Sequence, residues 1–137
     1  MRRMGGADAF MLAMETPRAY MHTFKVAIID PSSDPDGWCY DKFYQGFEER
    51  VHLLPYLRWK YAETPFGINH AVWVEDENFN LDYHIRRVAL PGAGDHKALC
   101  DFMSDVYAYQ LDRSRPLWKS WIVEGLEGGK LATVTML

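Results

Sequence analysis

Apolar positions recur at every second residue between Met21 and Asp30, with Phe24, Val26 and Ile28 on one face and Thr23, Lys25, Ala27 and Ile29 on the other. That period predicts a strand, and because both faces are largely apolar it is expected inside a sheet. Over residues 38–54 the spacing changes. Tyr40, Phe43, Phe47, Val51 and Leu54 fall three or four apart, the buried stripe of a helix that Pro55 would end. Residues 57–61 and 71–75 predict short strands on either side of a turn at Thr64-Pro65-Phe66-Gly67. Leu81, Tyr83 and Ile85 then alternate with Asp82, His84 and Arg86, which predicts a half-exposed strand running to about Leu90, with His84 on its polar face. Asp95 can cap a second helix through about Gln110, with Leu99, Phe102, Met103, Val106 and Gln110 facing inward. Residues 117–124 and 131–137 predict a closing hairpin, since Gly128-Gly129 between apolar runs permits positive φ. Residues 1–20 carry a short helix at best, closed near Pro17.

The order strand, helix, strands, helix, hairpin implies an α/β class fold, an α+β mixed sheet covered by helices, most economically with both helices on one face. The 137 residues suffice for one compact domain. Aromatics at 15% exceed an ordinary share and suggest a deep core or an apolar surface awaiting a partner. The net charge of −4, with Lys and Arg scattered rather than striped, argues against nucleic acid as a partner. Cys39 and Cys100 are too few and too distant for a disulfide framework and are expected as reduced, mostly buried thiols of a cytoplasmic protein. No apolar signal core develops after Met1-Arg2-Arg3, and no apolar run approaches the ~20 residues that cross a bilayer, so contact with a membrane or lipid droplet would be peripheral.

Residue types alone reveal no catalytic centre. Ser32, Asp34, Asp36 and Gly37 match the opening of a calcium-binding EF-hand loop, but Phe43 stands where the closing carboxylate is needed. His22, His52, His70, His84 and His96 sit at no metal-ligand spacing, so no metal site is expected. Of these, His22 opens a strand and could line a pocket, although a satisfied structural role is the simpler reading. Gly92 and Gly94 lack the strand-turn-helix setting of a phosphate loop, and no serine stands in a nucleophile elbow.

The stretch Leu111-Asp112-Arg113-Ser114-Arg115-Pro116-Leu117-Trp118 differs in kind. Arg113 and Arg115 flank a serine directly before Pro-Leu-Trp, where guanidinium groups can pair with Asp112, with carbonyls ending the preceding helix, or with an anionic ligand. Pro116 fixes φ at the strand entrance and Trp118 supplies a large apolar anchor. A structural joint is the simpler reading.

Those eight residues also match the Leu-Asp-x-Ser-Arg-Pro-Leu-Trp signature of the bacterial wax ester synthase/diacylglycerol acyltransferase family, which the chain resembles over nearly all its length. Met4-Gly5-Gly6-Ala7-Asp8 with Phe10, Leu12, Glu15 and Met21-His22 is similar to the family's start. Trp73-Val74-Glu75-Asp76 through Phe79-Asn80-Leu81-Asp82-Tyr83-His84 resembles a second family segment, departing at Asn80, where Asp is usual. Ile122-Val123-Glu124-Gly125-Leu126 and Gly128-Gly129 follow as in the family.

The resemblance implies the first lobe of the chloramphenicol acetyltransferase-like fold of CoA-dependent acyltransferases, with residues 1–137 as an incomplete N-terminal lobe. It implies, for the full-length protein, transfer of a fatty acyl group from acyl-CoA to diacylglycerol or a long-chain alcohol, giving triacylglycerol or wax ester. Acyl-CoA would be a co-substrate, with no bound cofactor. Pro116, Leu117 and Trp118, with Arg113 and Arg115 before them, are expected to be structural or to shape substrate access. In the family the last strand runs into His-His-x-x-x-Asp-Gly, whose second histidine is the general base. No catalytic residue is therefore carried onto this chain, which should be inactive alone and complete only with a missing C-terminal part. The alternatives are a related condensation or polyketide-associated acyltransferase, and a non-catalytic lipid-binding protein should the natural chain end at Leu137.

Overall fold

The computed structural model describes residues 1–137. In chain order the elements are β1 (Arg2–Arg3), α1 (Gly6–Met14), β2 (Phe24–Ile29), α2 (Tyr40–Glu48), β3 (Trp59–Ala62), β4 (Val72–Glu75), α3 (Leu81–His84), β5 (Ile85–Ala89), α4 (His96–Tyr107), β6 (Lys119–Leu126) and β7 (Lys130–Met136). The strands form two sheets rather than one. A four-stranded sheet has the order β2-β7-β6-β5, and a three-stranded sheet has the order β1-β4-β3. The larger sheet is mixed, because β5 pairs parallel to β6 while the other neighbours are antiparallel.

Alternation along β6 divides the core in two. Trp121 and Val123, with Ala132, Val134 and Met136 of β7, pack against Leu99, Phe102, Met103 and Val106 of α4. Ile122 joins Trp118, Leu81 and Ile85 on the opposite side, under Tyr40, Phe43, Tyr44 and Phe47 of α2. The two main helices thus cover opposite faces of the sheet. A sheet whose central strands are apolar on both faces needs a cover on each. The reading that put both helices on one face counted the elements without assigning the two apolar faces of β6.

β2 forms as expected, but at the edge of the sheet. It pairs only with β7, and Val26 and Ile28 remain 41% and 55% exposed. α2 ends at Glu48, six residues short of the expected Leu54. The Arg50 guanidinium donates back to the Gly46 carbonyl, and Val51–Leu53 and Pro55–Arg58 are separate 3-10 turns. Leu54 is extended in φ, as a residue before proline tends to be. α4 begins as expected, with Asp95 accepting from the Ala98 amide, but it stops at Tyr107, so Gln110 lies beyond it.

Residues 81–84 are a helical turn, not the start of a strand. The Asn80 side chain accepts from the Asp82 amide and caps it, and the strand begins only at Ile85. The thiols also differ from expectation: Cys39 is half-buried and Cys100 exposed, both free. Cys100 falls on the outer side of α4, one position from the buried Leu99.

Candidate functional site

Pro116, Leu117 and Trp118 tie the two sheets together. Pro116 is buried and bridges to Lys60 of β3, which brings the smaller sheet against the entrance of β6. Trp118, 4% exposed, donates from Nε1 to the Leu57 carbonyl at 2.7 Å, and its ring lies 5.3 Å from Phe47 and 6.5 Å from Phe79. His84 stacks on it at 4.4 Å and contacts its carbonyl through Nδ1 at 2.8 Å. A carbonyl only accepts, so Nδ1 carries the proton and the neutral ring keeps a bare Nε2, buried without a partner. Burial holds His84 below the ordinary histidine range, with the hydrogen bond to Trp118 partly opposing it. Of the two roles that a polar-face position allowed, surface or hydrogen-bonded, His84 takes the second, as a buried brace.

Two cavities meet along Leu117 and Leu137. The larger, about 540 Å³, is a cleft between the sheets lined by Trp59 and Trp73 of β3 and β4, Tyr56 and Leu57, and Leu117, Trp118 and Leu137, with Arg2, Arg3 and Asp8 at its polar end. The smaller, about 60 Å³, lies against α1 between Met11, Glu15, His22, Leu111, Leu117 and Leu137. Aromatic and aliphatic walls with a few polar groups suit a long apolar ligand.

Arg113 and Arg115 are not among the residues that line the larger cleft. Arg113 donates through Nη2 to Glu15 at 2.7 Å and to the Leu12 carbonyl at 3.1 Å, and its guanidinium lies 5.6 Å over Tyr61. Gln110 also donates to Glu15. Burial works to raise the Glu15 carboxyl, but the hydrogen bonds from Arg113 and Gln110 outweigh it and hold the group below the usual carboxylate range. His22 stands 3.6 Å from the same carboxylate, stacked on Tyr20, with neither ring nitrogen hydrogen-bonded. Its burial lowers its pKa and the Glu15 charge offsets part of that. Arg115 pairs loosely with Asp112, at 3.6 Å, and lies 4.4 Å over the Tyr83 ring, where Lys119 also sits at 4.6 Å.

Pattern reading found Leu117 and Trp118 but not their lining partners Tyr56, Trp59 and Trp73, nor the bracing of His84. His22 was noticed, and the structure does place it on a cavity wall. No three His, Cys, Asp or Glu side chains come together in a way that could hold a metal ion.

The model of the wax ester synthase/diacylglycerol acyltransferase catalytic domain matches residues 4–137. A Mycobacterium tuberculosis protein with the name "Putative diacyglycerol O-acyltransferase" is 52% identical over all 137 residues, and the chain spans 29% of its length. A second M. tuberculosis relative, "Probable diacyglycerol O-acyltransferase tgs3", is 32% identical over 133 residues, 97% of this chain and 48% of that protein. Among solved structures, the wax ester synthase/diacylglycerol acyltransferase of Marinobacter aquaeolei VT8 superposes with a TM-score of 0.83 at 25% identity, over 100% of this chain and 33% of that one. The starter condensation domain of a rhizomide synthetase shares the fold alone, with a TM-score of 0.66 at 10% identity over 98% of this chain and 32% of that one. The matched sequence includes the Leu117 and Trp118 wall and the brace beneath it, and the chain belongs to the wax ester synthase/diacylglycerol acyltransferase family.

Proposed function

We propose that residues 1–137 are the N-terminal lobe of an O-acyltransferase that moves a fatty acyl group from acyl-CoA to diacylglycerol or a long-chain alcohol. The observation that carries the reading is the family match across residues 4–137. The 52% identical relative spans more than three times this length, which supports a longer native protein in which this lobe is one part. The general base belongs to the His-His-x-x-x-Asp-Gly motif that the family resemblance implies beyond β7, so this lobe alone is inactive.

In that reaction the base takes the acceptor's hydroxyl proton, the alkoxide oxygen attacks the thioester carbonyl, and the oxyanion collapses with loss of the CoA thiolate. This lobe's contribution is positional. The cleft beside Leu117, Trp118 and Leu137 offers an apolar wall for an acyl chain, and exclusion of water by Trp59, Trp73 and Trp118 favours transfer to the alcohol over hydrolysis. Pro116 fixes that wall against β3. Acyl-CoA is a co-substrate and no resident cofactor is invoked. No helix is long and apolar enough to cross a membrane, so any lipid contact made by this lobe's helices is peripheral.

The test is to incubate the intact native protein with labelled palmitoyl-CoA and either diolein or hexadecanol. Labelled triacylglycerol or wax ester is the expected product. Free palmitate alone, or no turnover with either acceptor, overturns the reading.

A further inference from the structure

Two cations lie over the Tyr83 ring, away from the lining of the apolar cleft, and a third stands on the neighbouring strand. Lys119 Nζ lies 4.6 Å from the Tyr83 centroid and 5.8 Å from that of Trp121, and Arg115 lies 4.4 Å from Tyr83. Arg86, the second residue of the edge strand β5, is exposed and paired in register with Trp121 of β6. Arg115 has one carboxylate, Asp112 at 3.6 Å, whose other oxygen is already engaged by the amide and hydroxyl of Ser114. Neither Lys119 nor Arg86 has a carboxylate within ion-pair distance. Elsewhere the basic side chains of this acidic chain are commonly paired, as with Arg87 on Glu124, Lys60 on Asp76 and Arg58 on Glu75. Lys119 is partly withdrawn from water, and burial together with the Arg86 charge lowers its pKa. A half-buried ammonium facing a second cation costs free energy that a bound anion would offset.

We propose that Arg86, Arg115 and Lys119, arranged about Tyr83, form a binding site for a phosphate-bearing ligand. The chemistry suits phosphate better than an isolated carboxylate. A planar guanidinium gives a two-pronged contact to phosphate oxygens, and the neighbouring ammonium supplies a point charge for a second negative oxygen. The aromatic faces of Tyr83 and Trp121 keep both cations directed without neutralising them. Two sources present such a group: the phosphates of an acyl-CoA co-substrate and the headgroup of an anionic phospholipid. The first deepens the proposed acyl-transfer function and rests on it, whereas the site itself stands on the cations alone.

The experiment measures binding rather than turnover, so failure of the site and failure of the acyltransferase reading are distinguishable. The intact native protein is titrated at low salt with adenosine 3′,5′-bisphosphate and, separately, sedimented with vesicles of phosphatidylglycerol. Arg86→Gln, which is exposed and should fold, and Lys119→Gln are compared with Lys25→Gln, an equal charge change on the remote strand β2. Retained thermal melting temperatures establish that each variant is folded. About a tenfold loss of affinity in Arg86→Gln and Lys119→Gln, with Lys25→Gln unchanged, supports the site. Loss toward the nucleotide identifies the co-substrate as the source, and loss toward vesicles alone identifies the headgroup. No binding to either probe, or equal loss in Lys25→Gln, overturns the proposal.

Discussion

His84 stacks on Trp118 at 4.4 Å and donates from Nδ1 to the same residue's carbonyl at 2.8 Å, so one imidazole fixes both the ring and the backbone of the tryptophan that walls the cleft. His84→Ala removes the stack and the donor together and leaves a void. The expected loss is about 2–4 kcal/mol of stability, read as a lower urea midpoint, with most of it retained as a loss in His84→Gln.

The same burial makes stability depend on pH. The pKa of His84 is lowered on folding, as is that of His22, both from an ordinary value of 6.5. Above that value neither state binds the proton and the contribution is fully present. As the pH falls below it, the unfolded chain takes up protons that the folded chain refuses, and stability declines until the folded pKa values are reached. Urea midpoints measured from pH 8 to pH 5 should therefore fall on the acid side, and His84→Gln should flatten that slope. A midpoint that rises on acidification contradicts the assignment of a neutral, buried ring.

Glu15 and Arg113 form a part-buried pair across 98 residues of sequence, at 2.7 Å. Arg113→Met leaves a carboxylate with 7% of its side chain exposed and no cation beside it, and should cost about 2–3 kcal/mol. Glu15→Gln combined with Arg113→Met should cost less than the two single changes added together, because neither charge is then left alone. Denaturant midpoints of the four proteins check this.

Gly94 and Gly92 separate two effects of glycine. Both have positive φ, at 65° and 69°, but a Cβ on Gly92 meets open space whereas one on Gly94 runs into the Gly125 backbone. Gly92→Ala should cost about 1 kcal/mol of backbone strain, and Gly94→Ala clearly more, since the loop before α4 must move off β6. Melting temperatures of the two variants give the comparison.

The hairpin of β6 and β7 was legible because long apolar runs and a glycine pair leave few alternatives, and α4 was legible because Asp95 caps a regular stripe. Residues 81–84 were not. Over four residues one helical turn and a strand are hard to tell apart by period, and the Asn80 cap decides between them. The burial of His84 was hidden for another reason, since its partner Trp118 stands 34 residues away. The edge position of β2 depends on pairing order, which an apolar pattern does not encode. Arg113 and Arg115 were visible as a motif, but their contacts with Glu15 and Tyr83 join distant segments, and the cleft itself is assembled from Arg2 to Leu137. The family resemblance was legible because its residues are contiguous, whereas the cavity they line is not.

Under the proposed acyl-transfer function Leu117, at the meeting of both cavities, faces the acyl path. The most direct test is the acyl-chain profile of the intact protein with Leu117→Trp, using acyl-CoA substrates from eight to eighteen carbons, a range of about 10 Å or more in extended length. The expected result is a shift of preference toward the shorter chains with turnover of those chains preserved. An unchanged profile in a folded, active variant would contradict the claim.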